Sequence, residues 1–239
     1  MTRIILVRHG QTEWNRIERF RGRADVPLNE TGLAQAEATG RRIAAEWQPV
    51  AVYSSPLARA VKTAEAIAKH IASSTSSKQC LSVHIHAGLA DIDYGQWQGS
   101  TPDEAQARWP EEIYIWYNAP HTARIPGGET LDDVRARTMA AVNELAIRHA
   151  GQTIVLVSHT VTNRIILLDV LGLGNHRFWH LRQDTCAINV FEADSDDFTL
   201  VSLNETCHVR LGTDSLDHLL KAMVGVDKGE RLLTAAHGP

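Results

Sequence analysis

Ile4-Ile5-Leu6-Val7-Arg8-His9-Gly10 is the stretch from which the rest of this chain can be read. Four consecutive apolar residues without polar alternation read as a strand buried on both faces, the pattern of a parallel sheet covered by helices. The run stops at a cation, an imidazole and a glycine. In open α/β sheets ligands bind at the carboxyl ends of strands, so Arg8 and His9 are candidate site residues. Arg8 offers a rigid fork of donors suited to phosphate and keeps its charge. An uncharged imidazole at His9 suits attack on phosphorus, because phosphate oxygens repel anionic nucleophiles. Gly10 lets the backbone pass close to an anion, and Asn15 adds a neutral donor across the loop.

Two further segments end in the same way. Tyr53-Ser54-Ser55-Pro56-Leu57 is a strand end followed by Arg59 on an opening helix, and Thr153 to Ser158 is a buried strand that runs into His159. Strand ends of one sheet can converge, which would gather Arg8, His9, Arg59 and His159. The blocks LVRHGQTEWN (6–15), FRGRADVPLNETG (20–32), YSSPLARAVKTA (53–64), PGGET (126–130) and VSH (157–159) resemble the histidine phosphatase superfamily, also called phosphoglycerate mutase-like, in order and over about residues 2–208. The resemblance implies an α/β fold, a three-layer α/β/α sandwich on a mixed, mostly parallel sheet.

Composition agrees with this reading. At 239 residues and 44% apolar, the chain can bury a full α/β core. Residues 1–223 are expected as one domain with a lid-like segment near 100–125, and 224–239 as a disordered tail. The net charge of −4, with Lys and Arg scattered, argues against nucleic acid. No apolar stretch reaches membrane-spanning length, and no signal peptide is expected before the first strand. Three cysteines (Cys80, Cys186 and Cys207) without a CxxC pair suit a reducing cytoplasm and small core positions. The expected partner is a small phosphorylated metabolite, and a homodimer is compatible with the composition.

Helices are expected over Thr31–Trp47, with Asn29 or Thr31 as cap and Leu33, Ala36, Ile43 and Ala44 inward, and over Leu57–Ile71, Leu131–Ala150 and Val161–Leu171. Strands are expected at Val50–Ser54 and Leu81–His86, and paired strands at Thr185–Glu192 and Phe198–Leu203 across an Asp-Ser-Asp-Asp turn. Ser73–Lys78 reads as a solvated connection. The aromatic stretch with Trp109, Tyr114, Trp116 and Tyr117 reads as helical pieces of the lid, and Trp97 as packing.

The resemblance implies that His9 attacks phosphorus through Nε2 while Gly10 accepts the Nδ1 proton on its carbonyl, fixing the tautomer. It implies that Arg8, Asn15, Arg59 and His159 surround the transferring oxygens, with His159 acting best as an imidazolium beside the dianion. It implies no metal and no cofactor. The family's usual proton donor is a glutamate four residues before a glycine; counting back from Gly95 gives Asp91, one methylene shorter, with Asp93 and Glu129 as alternatives. Burial can raise an aspartate toward acid duty. Arg21 stands where many relatives carry a smaller polar residue, and reads as an added charge beside phosphate, a grip for a substrate carboxylate, or a surface arginine. Thr160 replaces a common glycine and would be strained at positive φ. Glu129 reads as pocket or cap, His208 as substrate mouth or structure, and the His84/His86 and His176/His180 pairs as structure.

Between Gly99 and Pro126 the only cationic side chains are Arg108 and Arg124. The cofactor-dependent mutases of the family are rich in Lys and Arg there, so hydrolysis of a small phosphomonoester is favoured, such as phosphoserine or a sugar or phosphoglycerate ester. A phosphoglycerate mutase is the second reading, and a non-catalytic phosphate-binding module the third.

Overall fold

The computed structural model describes residues 1–74, 81–194 and 197–210. In chain order these form β1 (Thr2–Arg8), α1 (Glu13–Arg16), α2 (Glu30–Glu46), β2 (Ala51–Ser54), α3 (Ala58–Ser74) and β3 (Val83–Ile85). They continue as α4 (Pro102–Arg108), α5 (Pro110–Asn118), α6 (Leu131–Arg148), β4 (Thr153–Ser158), α7 (Thr160–Val170), β5 (Ile188–Asp194), β6 (Asp197–Glu205) and α8 (Cys207–Arg210). The strands make one sheet in the order β3-β2-β4-β1-β5-β6. β1 to β4 run parallel, and β5 returns antiparallel to both β1 and β6. The expected mixed, mostly parallel sheet is what forms.

Strand alternation explains the three layers. Ile4, Leu6, Ile154 and Leu156 face one side, where they pack with Val134, Val142 and Leu145 of α6 and Ile165 of α7. Ile5, Val7, Val52, Val155 and Val157 face the other, against Ile43 of α2 and Ala60, Ala64 and Ile67 of α3. Helices on both faces bury residues 4–8 of β1 and 154–158 of β4, which is why these two runs show no polar alternation. Each such side chain buried contributes about 1.5–3 kcal/mol.

Several boundaries and faces differ from the sequence reading. Asn29 caps α2, its Oδ1 accepting from Gly32 N at 2.8 Å. Leu33 is 43% exposed; Ala36 and Ile43 are buried as expected, and the face they share runs through Gln35, Thr39 and Gly40. Small residues are needed there, because a Cβ on Gly40 would meet Ala66 O of α3 at 2.8 Å. The strand expected from Thr185 starts at Ile188, since Cys186 has φ 55° and Ala187 N closes a turn on Asp184 O. Cys186 is a core residue but Cys207 is exposed. Cys80, residues 75–78 of the serine-rich connection, Ser195 and Asp196 of the hairpin turn, and the tail lie outside the described residues.

The 100–125 segment is helical, as its sequence predicts. Thr101 closes a capping box with Glu104, and Pro102 and Pro110 occupy the first turns of α4 and α5. Its inner side is core: Ala105, Ile113 and Trp116 are buried, and Trp116 meets Trp97 edge-on at 6.0 Å. Pro102, Trp116 and Tyr117 also line the cleft at the carboxyl edge of the sheet.

Candidate active site

Register brings the strand ends together. β1 and β4 pair Arg8 with Ser158, so the next residue of each strand, His9 and His159, emerges side by side with ring centroids 5.1 Å apart. His9 N donates to Ser158 O at 3.0 Å, and Ser55 N to Val157 O at 3.0 Å. Three adjacent parallel strands thus deliver both histidines and Ser55 to one point. His9, Arg59 and His159 are fully buried at the floor. Above them opens a cleft of about 440 Å³ whose walls include Arg8, Asn15, Arg21, Asp91 and Thr160.

The His9 ring is held by Nδ1, 2.6 Å from Gly10 O, while Nε2 is buried with no partner. Since a carbonyl only accepts, Nδ1 carries the proton and Nε2 the lone pair. Burial, with Arg59, Arg8 and Arg21 nearby, holds His9 well below the ordinary histidine range, so the imidazole is neutral at neutral pH. Gly10 is required by packing rather than by an anion: its φ is not positive, and a Cβ would meet Gly32 O of α2 at 2.5 Å.

The cations are anchored through main-chain carbonyls. Arg59 donates from Nη1 to Ala24 O at 2.7 Å and from Nη2 to Gly22 O at 2.8 Å. Arg8 donates to Gln183 O at 2.5 Å; the Gln183 amide in turn pairs with Asn189, which donates to Leu6 O. Burial and the nearby Arg21 push Arg8 down to about 9, which leaves it charged at neutral pH. Asn15 Oδ1 accepts from Thr12 N at 2.9 Å and Thr12 Oγ1 at 2.8 Å, so the amide cannot tumble. Arg21 donates to the carbonyls of Trp14 and Arg19, and its charge acts on Arg8, His9, Arg59, Asp91 and His159. It is part-buried and lines the cleft above the two histidines.

Asp91 sits at the centre. Its Oδ2 lies 3.2 Å from Arg59 Nη2 and 3.7 Å from His159 Nδ1, and burial raises it above the usual carboxylate value despite Arg59 and Arg21. Asp93 is a turn residue, its Oδ1 accepting from Gly95 N at 2.8 Å. Glu129 does not line the cleft. It pairs with Arg137 at 2.9 Å and accepts from Asp93 N at 2.9 Å. Arg137 also donates to the carbonyls of Gly88, Ala90 and Asp91, so this pair holds the segment that carries Asp91. Replacing Arg137 by Ala removes the ion pair to Glu129 and the bond to Asp91 O, while Gly88 O and Ala90 O keep donors in Thr138 and Thr162. It is expected to cost about 1–3 kcal/mol of stability, measured by denaturant midpoint, and to lower turnover without contacting substrate.

Two other expectations change. Thr160 is the first residue of α7 with ordinary φ and no strain, because His159 takes the N-cap position. His208 lies away from the cleft, with Nε2 3.1 Å from both Thr39 Oγ1 and Cys186 O, and is structural. His159 Nε2 lies 2.7 Å from Ser55 Oγ, a partner not singled out from the sequence. Burial first, then Arg59, His9, Arg21 and Arg8, depress His159; among the protein's own groups it is neutral, and only an added dianion would reverse that balance. Buried polar groups are normally paired, yet Arg8 Nε, His9 Nε2, Arg59 Nε, His159 Nδ1 and Thr160 Oγ1 are buried without partners in one place. A compact group rich in acceptors, with an electrophilic centre facing His9, fits that set. Among the described residues no three His, Cys, Asp or Glu side chains are grouped to hold a metal ion.

The fold and this two-histidine, multi-arginine strand edge define a phosphoryl-handling α/β enzyme. Comparison with known proteins agrees: residues 4–206 match the family model described as histidine phosphatase superfamily, branch 1. The chain is 34% identical over 209 residues to phosphoserine phosphatase 1 of Hydrogenobacter thermophilus, covering 87% of this chain and 95% of that one. It is 37% identical over 171 residues to the metal-independent phosphoserine phosphatase of Arabidopsis thaliana, covering 71% and 69%. The solved structure of Bacillus stearothermophilus YhfR superimposes with a TM-score of 0.79 at 28% identity, covering 87% of this chain and all of that one. The chain belongs to the histidine phosphatase superfamily, branch 1, and is an enzyme of the phosphatase type.

Proposed function

We propose that the protein hydrolyses small phosphomonoesters, phosphoserine foremost, through a phosphohistidine on His9. The observation that carries this reading is the buried, unpartnered Nε2 of His9, held neutral and correctly protonated among Arg8, Arg21 and Arg59. In the first step Nε2 attacks phosphorus and the P–O bond to the leaving alcohol breaks. Asp91 supplies the proton that the departing oxygen needs. Arg8, Arg59, Asn15 and His159 stabilise charge spread over the transferring oxygens. Water then attacks the phosphohistidine; Asp91, now ionised, takes its proton, and phosphate leaves.

Asp91 lies 3.2 Å from Arg59, whose charge favours its ionised form, so an incoming dianion competes for that partner. Substrate arrival therefore drives the carboxyl toward the protonated state that the first step uses. The names of the two phosphoserine phosphatase relatives support the substrate, and the Arabidopsis name supports catalysis without metal. The mutase reading is weaker. Arg108 stacks on Trp109 at 4.4 Å and Arg124 is exposed, so neither cation of the 100–125 segment lines the cleft. A cytoplasmic location belongs to the same proposal.

The test is phosphate release from phosphoserine, sugar phosphates and 3-phosphoglycerate in the presence of a chelator. Metal-independent release with phosphoserine as the best ester is expected. Conversion of 3-phosphoglycerate to its 2-isomer without release would replace this reading by a mutase.

A further inference from the structure

Arg164 is a cation in the cleft that the mechanism above does not use. It lies on α7 four residues after Thr160 and three after Val161, so all three share a helix face, and all three line the cleft. One helical turn separates it from Thr160, about 6 Å along the axis, which is the reach of a short leaving group anchored at the phosphate centre. Its charge is felt at Arg8, but not among the leading influences on His9, Arg59 or His159.

The surroundings of Arg164 are unusual for a largely buried guanidinium. It lies over the rings of Phe178 at 5.0 Å and Trp179 at 4.9 Å. Its Nε is buried without a partner, and among the described residues it has no ion pair. The other cleft arginines away from the phosphate centre are engaged: Arg19 with Glu104 and Arg182 with Asp184. Aromatic stacking fixes the plane of the guanidinium and leaves its edge to donate in parallel pairs, the arrangement that recognises a planar carboxylate.

We propose that Arg164 is a specificity-determining residue that binds a carboxylate on the leaving alcohol, which makes phosphorylated hydroxy and amino acids the preferred substrates over sugar phosphates. The inference rests on the phosphatase reading and sharpens it. Phosphate and carboxylate are then held at the two ends of the cleft: one by the strand-edge cluster, the other one helical turn along α7. A second phosphate in place of the carboxylate would meet less compensating charge, since Glu18 and Asp184 line the same cleft.

The test compares phosphoserine with O-phosphoethanolamine, the same alkyl ester without its carboxylate. Wild type is expected to favour phosphoserine in kcat/KM. In Arg164→Met that preference should fall by about 10- to 100-fold, the loss of one charged hydrogen-bonded contact, carried mainly in KM. Arg164→Lys, which keeps the charge and much of the packing but not the fork, should give an intermediate preference. Equal losses on both esters, or a preference that neither variant moves, would overturn the assignment while leaving the phosphatase reading intact. If no ester is hydrolysed, the phosphatase reading itself falls. Calorimetric Kd values for the two esters, in wild type and Arg164→Met, then decide the subsite: a preference for phosphoserine lost in the variant supports it, and equal affinities refute it.

Discussion

His9→Ala is expected to lower phosphate release by at least about 10⁴-fold, the scale lost when a nucleophile is removed. The neighbouring groups cannot replace it. His159 is engaged through Nε2 by Ser55, and while Ser55 fixes the ring its Nδ1 lies 3.7 Å from the Asp91 carboxylate, not against a phosphorus held by His9. The substitution removes a ring that is wholly buried and anchored on Gly10 O, so a melting curve and phosphate binding must accompany the rate. The stronger check is direct. After brief mixing with substrate and alkaline quench, wild type should carry one added phosphoryl group and the variant none. A labelled wild type with the group on another residue would overturn the assignment of the nucleophile.

The pH dependence follows from the same environment. Because burial and three arginines depress His9 in the free protein, its nucleophilic form persists as pH falls below 6.5, and the His9 limb of kcat/KM should lie below that point. A steep loss of kcat/KM between pH 7 and 6 that tracks protonation of His9 would contradict the geometry.

Asp91→Asn should reduce kcat on alkyl phosphates by about 10²- to 10⁴-fold, the usual contribution of a positioned acid. Phosphate affinity should hold or rise, since asparagine removes a negative charge beside Arg59. The leaving group discriminates between roles. Serine leaves as an alkoxide unless protonated, whereas p-nitrophenolate departs readily without a proton. The loss should therefore be much smaller on p-nitrophenyl phosphate. Asp91 is raised by burial, and its protonated form is the active one in the first step, so turnover should decline as pH rises through that raised value. The Asn variant should lose this basic limb. Equal losses on both esters would make Asp91 a positioning residue, and an unchanged kcat would remove it from the mechanism.

Much of this site is legible in the chain because its chemistry depends on residue type and position along strands. An unbroken apolar run ending in Arg8-His9, and another ending in His159, imply buried parallel strands with their carboxyl edge at the ligand. Register to Gly95 points to Asp91, and the structure seats it against Arg59 and His159. Other features rest on contacts between residues far apart in sequence, which carry no local pattern. Ser55 meets His159 across two strands, and Arg137 braces the Asp91 segment from α6. Arg164 finds Phe178 and Trp179 only once the chain after α7 folds back. Gly10 reads in sequence as making room for an anion, whereas the space belongs to the backbone of α2. Leu33 falls outside the core because α2 and α3 approach through Ala36 and Gly40, a demand for small volume that apolar periodicity does not register.

By itself, then, the sequence determined the layered, mostly parallel fold and pointed to the candidate site residues, because burial on both sheet faces and phosphoryl chemistry each restrict the side chains that can serve. Tertiary structure alone decided the tautomer of His9, the depressed titration of both histidines and the unpaired guanidinium of Arg164. Those properties follow from distance and desolvation, which exist only when remote segments meet.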